Sequence, residues 1–129
     1  MQKERIFEKL DGGRIEYVDR MVEAGEIAWK QHPVYAGVSL KTLIGFEEAG
    51  GRFSCLLVKL EPGHEIGEHI HDSQWELHEV VDGNGICIIL DKEINYESGV
   101  CTVIPDGLKH RVIAGEQGLS LLAKYMPAV

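Results

Sequence analysis

The chain has 129 residues, of which 44% are hydrophobic, so it can form one domain with its own core but is short for two. The formal net charge is −8 and Lys and Arg form no cluster, which argues against a nucleic-acid partner. The sequence has no apolar run of about eighteen residues to span a membrane, and its first residues lack the apolar stretch of a signal peptide. We therefore expect a cytoplasmic protein without a membrane partner.

Residues 1–33 are predicted to form an N-terminal extension. A short helix is indicated by three apolar residues with helical spacing that precede an Asp-Gly-Gly turn: Ile6, Phe7 and Leu10. The same period continues as far as Gly25 and favours a second helical segment, through Ile15, Val18, Met21 and Val22. Residues 26–29 are expected to form a short strand.

Residues 34–129 are predicted to form a single β-barrel domain. Short runs rich in Val, Ile and Leu alternate with turn residues at regular intervals, which is typical of a β-sandwich or barrel. Gly, Pro, Asn and Asp between the runs supply the turns, among them residues 82–85 and 115–118. The expected strands are 37–44, 52–60, 75–81, 85–90, 92–96, 101–104, 110–114 and 119–125.

The three cysteines are an odd number without a CxxC pair, which argues against a disulfide framework or a zinc finger. All three lie in apolar runs, where reduced Cys behaves as a small hydrophobic residue. We expect Cys55, Cys87 and Cys101 to be buried free thiols.

Four of the six histidines lie between residues 63 and 83. His69 and His71 are separated by one residue, so on an extended strand they project from the same face and can converge on one metal ion. Glu76 adds a carboxylate if the chain turns at residues 72–74, and His110 can supply a fourth ligand from far along the chain. Three imidazoles and one carboxylate suit a divalent Mn, Fe, Ni, Zn or Co ion. Glu79 is a rival to Glu76, but it lies on the opposite face of the strand.

Two stretches of the sequence resemble the motifs of the cupin superfamily. Gly63-x5-His69-x-His71-x4-Glu76-x6-Gly83 is similar to the first motif at every defined position. Gly99-x5-Pro105-x-Gly107-x2-His110 is similar to the second as far as its last position, where the family usually has Asn and this chain has Ala114. That Asn is not a metal ligand in the family, so the difference concerns the pocket wall.

The resemblance implies an all-β fold, a double-stranded β-helix (jelly-roll) barrel, with a short and partly helical N-terminal segment. It implies that His69, His71, Glu76 and His110 point inward and hold one divalent metal ion. In small cupins the N-terminal segment often pairs with a neighbouring subunit, so the resemblance also implies a homodimer. Because this fold supports many reactions, the resemblance does not select one.

His78 lies two positions beyond Glu76 and is expected to share its inward face. An imidazole with a pKa of about 6.5 can move protons at neutral pH, so His78 can act as a general acid or base. It can equally hold a metal ligand in place by a hydrogen bond. A pocket histidine with purely structural hydrogen bonds is the third interpretation.

The sequence leaves three hypotheses about function. The first is a metal-dependent enzyme that acts on a small oxygen-rich molecule such as a keto acid, a sugar or a phenolic compound. A dioxygenase, an isomerase and a decarboxylase or other lyase all fit this hypothesis, since proteins that the chain resembles have these activities. The second is a barrel that binds or senses a small molecule without turnover. The third is a structural metal ion that only stabilises a small barrel and needs no open coordination position.

Overall fold

A computed structural model of the protein describes residues 5–129. In chain order its elements are α1 (Ile6–Asp11), β1 (Arg14–Glu16), β2 (Met21–Glu23), a 3-10 turn (Ala24–Glu26), β3 (Lys30–Gln31), β4 (Val38–Ile44), β5 (Ser54–Leu60), β6 (Glu65–His69), β7 (Trp75–Ile89), β8 (Lys92–Glu97), β9 (Cys101–Ile104) and β10 (His110–Met126). The predicted all-β fold with a short helix near the N-terminus is confirmed.

Two long strands, β7 and β10, each belong to both layers of the barrel. The first half of β7 pairs with the last half of β10, and this layer continues through β5, β4 and β3 on one side and β9 on the other. The second half of β7 pairs with the first half of β10, with β6 and β8 at the two edges. The antiparallel layers enclose the main hydrophobic core, so side chains at alternate positions of β7 and β10 point inward.

Turns predicted at residues 82–85 and 115–118 are wrong, because β7 and β10 run through both stretches with a register shift between them. The glycines there allow the two strands to cross closely where the sheet bends. Gly83 has a φ of 80°, and a Cβ atom on it would lie 2.1 Å from the carbonyl oxygen of Gly118. Only glycine fits this crossing without a shift of the backbone.

The strands predicted over 37–44, 52–60, 92–96 and 101–104 are present within two residues at each end. Among the strands after residue 33, β6 was not predicted, although His69 at its end was expected on an extended segment. The chain bends at residues 72 and 73 before β7 begins, as the spacing of the histidines and Glu76 requires.

The N-terminal segment packs against the outer face of β4, β5 and β10. The helix predicted from Ile6, Phe7 and Leu10 is confirmed, and a second hydrophobic cluster joins it to the barrel through Leu43 and Leu57. The prediction of a second helical segment is wrong, because β1 and β2 form a hairpin there. Val18 lies fully exposed in the turn of this hairpin. The strand at residues 26–29 is also wrong, since β3 begins at Lys30.

A buried ion pair holds this segment in place. Nζ of Lys41 on β4 donates to both the side chain and the backbone oxygen of Asp11, at the end of α1, and Lys41 is only 2% exposed. Nε1 of Trp29 donates to the same Asp11 carboxylate at 3.0 Å. The division of the chain after residue 33 and the pairing of the extension with a second subunit stay predictions.

Cys55 and Cys87 are buried free thiols as expected, whereas Cys101 is exposed. The prediction for Cys101 is wrong because it lies on β9 at the edge of the sheet, and its side chain points away from the core. Within residues 5–129, no helix is both long and apolar enough to cross a membrane.

Candidate metal centre

Four side chains from three strands and one loop meet at one end of the barrel. His69 ends β6, His71 follows in the loop, Glu76 is the second residue of β7 and His110 begins β10. One ligand atom from each of the four lies within 4.8 Å of the others. The pairing of His110 with His69 in the sheet register brings the distant histidine to the site, and their ring centroids are 4.1 Å apart. The group predicted from the sequence is therefore assembled in the fold.

Backbone carbonyl groups orient two of the imidazoles. Nδ1 of His69 lies 2.7 Å from the oxygen of Gly67, and Nδ1 of His110 lies 3.0 Å from the oxygen of Leu108. In a neutral ring, Nδ1 then carries the proton and donates it, which leaves Nε2 with a free lone pair. This is the tautomer in which histidine binds a metal through Nε2.

Two buried polar atoms at the centre of the group have no hydrogen-bond partner among the described residues: Oε1 of Glu76 and Nε2 of His110. They lie 3.3 Å apart, without the geometry of a hydrogen bond, and Nε2 of His71 lies 3.4 Å from the same Oε1. Unsatisfied buried polar atoms are rare and costly in folded proteins. A divalent cation would satisfy both atoms, so the donor set fits a metal site.

At three of the four residues, the electrostatics of the group favour the protonation state that a metal needs. Burial lowers the pKa of His69 and of His71, which keeps both rings neutral at pH 7. Burial raises the pKa of the Glu76 carboxyl, but the imidazoles of His110 and His78 outweigh burial and hold this pKa well below its usual range. For His110, burial lowers the pKa, but contact with Glu76 outweighs it and raises the pKa overall.

His78 is buried beside the group and contacts Glu76 rather than the centre. Its Nε2 lies against Oε2 of Glu76, the oxygen that faces away from His110, and its Nδ1 lies 2.9 Å from the hydroxyl oxygen of Tyr96. Burial raises the pKa of the Tyr96 hydroxyl, so it stays protonated. Since an ionised carboxylate only accepts hydrogen bonds, the neutral ring donates from Nε2 to Glu76 and accepts from Tyr96 at Nδ1.

Other residues considered from the sequence lie outside the group. Glu79 points away from the barrel and forms an ion pair with Lys124, as its position on the strand predicts. His64 is exposed and Trp75 is 47% exposed. Ala114 is buried in the core between the layers and does not line the cavity beside the group, so the prediction that this position belongs to the pocket wall is wrong.

Two tyrosines near the group were not found by sequence reasoning. Tyr96 is 1% exposed on β8, and Tyr125 on β10 lines the cavity with its ring centroid 5.3 Å from that of His71. The pairing of β9 and β10 with β7 opposes Thr102 and Ala123 to His78, and Tyr125 to Glu76. The only sequence signal for Tyr125 is that it lies at alternate positions with Leu121 and Ala123 and so shares their face of the strand. For Tyr96 the sequence gives no signal.

The fold is a small β-barrel of two antiparallel layers, and the His-His-Glu-His group at one end of it fits a metal ion. These two features define a class of small metal-binding β-barrel proteins. The cupin domain profile matches residues 56–123, more than half of the chain. The chain therefore belongs to the cupin family.

Similar proteins agree with this assignment. Dimethylsulfoniopropionate lyase DddW from Ruegeria pomeroyi is 33% identical over 88 residues, which are 67% of this chain and 57% of that lyase. The chain thus matches little more than half the length of this curated relative.

Solved structures share the fold at low sequence identity. KdgF from Halomonas sp. has a TM-score of 0.72 and 19% identity, over 81% of this chain and 92% of that one. A predicted oxalate decarboxylase from Thermotoga maritima has a TM-score of 0.71 and 22% identity, over 80% of this chain and 95% of that one. These likenesses confirm the predicted jelly-roll barrel.

Proposed function

We propose that this protein is a metal-dependent enzyme that acts on a small oxygen-rich molecule, with a lyase reaction on a carboxylate as the leading candidate. One divalent ion of Mn, Fe, Co, Ni or Zn would be held by His69, His71, Glu76 and His110. The observation that carries the proposal is the pair of unsatisfied buried atoms, Oε1 of Glu76 and Nε2 of His110, which face the same point. When bound, such an ion can polarise a carboxylate or carbonyl oxygen of a ligand.

The protein's own groups around this point support chemistry rather than a purely structural ion. A cavity of about 360 Å³ reaches the group and is lined by His69, His71 and Glu76. This volume suits a small organic ligand. Tyr125 also lines the cavity, and burial raises the pKa of its hydroxyl, so it stays protonated at neutral pH and can donate a hydrogen bond to a bound ligand.

We assign His78 a positioning role in this proposal. It occupies Oε2 of Glu76 and so directs Oε1 towards the centre, while Tyr96 holds the other side of the ring. A general acid or base needs to reach a ligand directly. His78 also lines the cavity, but both of its nitrogens contact protein groups, which favours the positioning role over proton transfer to a substrate.

The lyase assignment is supported by the likeness to dimethylsulfoniopropionate lyase. Because the match spans 57% of that protein, its reaction comes to this chain only as a hypothesis. Dioxygenase and isomerase reactions, and binding without turnover, are the alternatives that the same experiment separates.

The test combines metal content with two activity assays on the same samples of wild type and His69→Ala. The proposal expects close to one ion per wild-type chain, loss of that ion in the variant, and metal-dependent cleavage of dimethylsulfoniopropionate or a related carboxylate. Oxygen uptake instead of cleavage would support a dioxygenase. Failure to bind any of the five metals, even after reloading under reducing conditions, would overturn the proposal.

Oligomeric state and cellular location are two further expectations. We propose a homodimer, which size-exclusion chromatography with light scattering tests by mass. A cytoplasmic location stays a prediction from the sequence.

A further inference from the structure

The cavity beside the metal group has walls without a positive charge. Of the residues from 5 to 129, no Lys or Arg lines it. Most of the wall is aliphatic, including Leu56, Val58 and Val112 on the inner faces of the two layers. The single charged side chain in the lining, apart from the titratable histidines, is Glu76.

Basic side chains near this end of the barrel are paired with acids outside the cavity. Arg111 donates two hydrogen bonds to the Glu65 carboxylate, at 3.1 and 3.0 Å. Lys124 pairs with Glu79 on the outer face of the sheet. None of these cations contacts the cavity, so none can neutralise a negative group on a ligand inside it.

Outside the metal group, the wall also holds neutral side chains with hydrogen-bond donors. Nδ1 of His32 accepts hydrogen bonds from the backbone N–H groups of Val34 and Tyr35, at 3.0 and 3.2 Å, so Nε2 of the neutral ring carries the proton. Burial lowers the pKa of His32, which keeps that ring neutral at pH 7. Tyr35 and Tyr125 line the cavity with hydroxyl groups.

We propose that this cavity selects a small monocarboxylate whose remaining body carries no second negative charge, and that it discriminates against dicarboxylates. The inference deepens the proposed function and depends on it, because one carboxylate would be neutralised at the metal group. A second carboxylate would be buried against aliphatic walls without a cation, and an unpaired buried charge is strongly unfavourable. Neutral donors and aliphatic walls accommodate an alkyl body at no such cost.

The experiment compares two ligands of equal chain length, butyrate and succinate, which carry one and two negative charges at pH 7. Protein loaded with Co²⁺ is titrated with each by isothermal calorimetry. The expected result is that butyrate binds at least roughly tenfold more tightly than succinate, a ratio that equals about 1.4 kcal/mol. Equal affinities, or tighter binding of succinate, would overturn the inference.

A pair of matched variants tests the reason for the preference. Val34 lines the cavity and is 73% exposed, so Val34→Lys adds a cation at the wall without disturbing the core. Val18 is fully exposed in the N-terminal hairpin and does not line the cavity, so Val18→Lys makes the same change of charge elsewhere. Val34→Lys should strengthen succinate binding about fivefold or more and leave butyrate within about twofold, whereas Val18→Lys should change neither.

Failure of this inference is distinguishable from failure of the proposed function. If Co²⁺ binds and butyrate and succinate bind equally, the charge selection is wrong while the metal site stands. If Co²⁺ binds and neither ligand binds, the carboxylate assignment of the cavity is overturned. If Co²⁺ does not bind, the metal centre fails and the inference falls with it.

Discussion

The hydroxyl oxygen of Tyr96 lies 2.9 Å from Nδ1 of His78, and both side chains are almost completely buried. His78 also contacts Glu76, so the three side chains form a line of hydrogen bonds that ends at the metal group. Each donor in this line has one acceptor, and the acceptor oxygen of Glu76 is the one that does not face the centre. The line therefore fixes the rotation of the Glu76 carboxylate.

Replacement of His78 by Ala should lower metal affinity by about 10- to 100-fold, the usual effect of removing a partner that orients a metal ligand. His78→Gln retains an N–H donor for Glu76 and should lose less. His64→Ala is the matched control, because His64 is exposed and lies outside the group. Affinity is measured by competition with a chelator, with circular dichroism to check folding. Unchanged affinity with a collapse of turnover would instead assign His78 to proton transfer.

Tyr96→Phe should have a smaller effect in the same direction, because it removes one hydrogen bond to His78 and leaves the contact with Glu76 in place. We expect a loss of metal affinity of about three- to tenfold, equivalent to a typical hydrogen bond. Because Tyr96 acts on the Glu76 carboxylate through His78, the double variant His78→Ala/Tyr96→Phe should bind the metal as tightly as His78→Ala alone. If the losses of metal affinity in the two single variants simply add in the double variant, Tyr96 does not act through His78.

Proton release on metal binding tests the electrostatics of the group. At pH 7 the lowered pKa values of His69 and His71 leave both rings neutral, and the Glu76 carboxyl is ionised. Burial lowers the pKa of His110, but contact with Glu76 outweighs burial and raises it overall, so His110 is the imidazole of the group that protonates most easily. Binding at pH 7 should release about one proton or fewer.

Once the pH falls below the lowered pKa values of His69 and His71, these two rings also take up protons. The number of protons released should rise and metal affinity should fall. Calorimetry in buffers with different heats of ionisation measures the number directly. Release of two or more protons at pH 7 would contradict the neutral state of His69 and His71.

Much of the metal group could be predicted because its geometry follows from local spacing. Only one residue separates His69, at the end of β6, from His71 in the loop that follows. The glycines and Pro105 around His110 mark a strand entry, so the ligand set depends on the sequence near each residue. Tyr96 could not be found this way, since it meets His78 only because β8 pairs with the second half of β7 and Tyr96 faces the first half of that strand across the core. Non-local pairings of this kind leave no pattern in a single sequence.

The wrong predictions of turns and of a second helical segment came from residues that suit more than one kind of local structure. Glycine is typical of turns, but Gly83 and Gly118 allow two continuous strands to cross. Val18 fits a helical period with Ile15 and Val22, yet those two residues pair across a hairpin and Val18 is exposed in its turn. Hydrophobic spacing over so few residues does not distinguish a helix from a short hairpin.

The strand crossing at Gly83 makes a prediction about stability. Gly83→Ala should destabilise the protein by about 3 kcal/mol or more, because the new Cβ atom would meet the Gly118 carbonyl in addition to the strain of a positive φ. Gly63→Ala is the control: Gly63 also has a positive φ of 74°, but nothing lies within 4 Å of a Cβ there. It should cost only about 1–2 kcal/mol. Urea unfolding monitored by circular dichroism compares the two, and equal losses would contradict the close crossing.

Replacement of the two partners of the Lys41–Asp11 ion pair should have unequal effects on stability. Asp11→Ala leaves the buried Lys41 ammonium with the backbone oxygen of residue 11 as its acceptor, and it also removes the acceptor of Trp29. We expect a loss of about 2–4 kcal/mol in the free energy of unfolding. Lys41→Met replaces the buried charge with an apolar chain of similar length and should cost less than about 1 kcal/mol, since the Asp11 carboxylate is 34% exposed and can be hydrated.

The double variant Asp11→Ala/Lys41→Met should therefore be more stable than Asp11→Ala alone, which is a rescue by a second substitution. Urea unfolding measures all three variants. Limited proteolysis should show faster cleavage between α1 and β3 in Asp11→Ala, because the ion pair ties this segment to β4. If Lys41→Met costs as much as Asp11→Ala, the pair contributes net stability and the cost is not the burial of an unpaired charge.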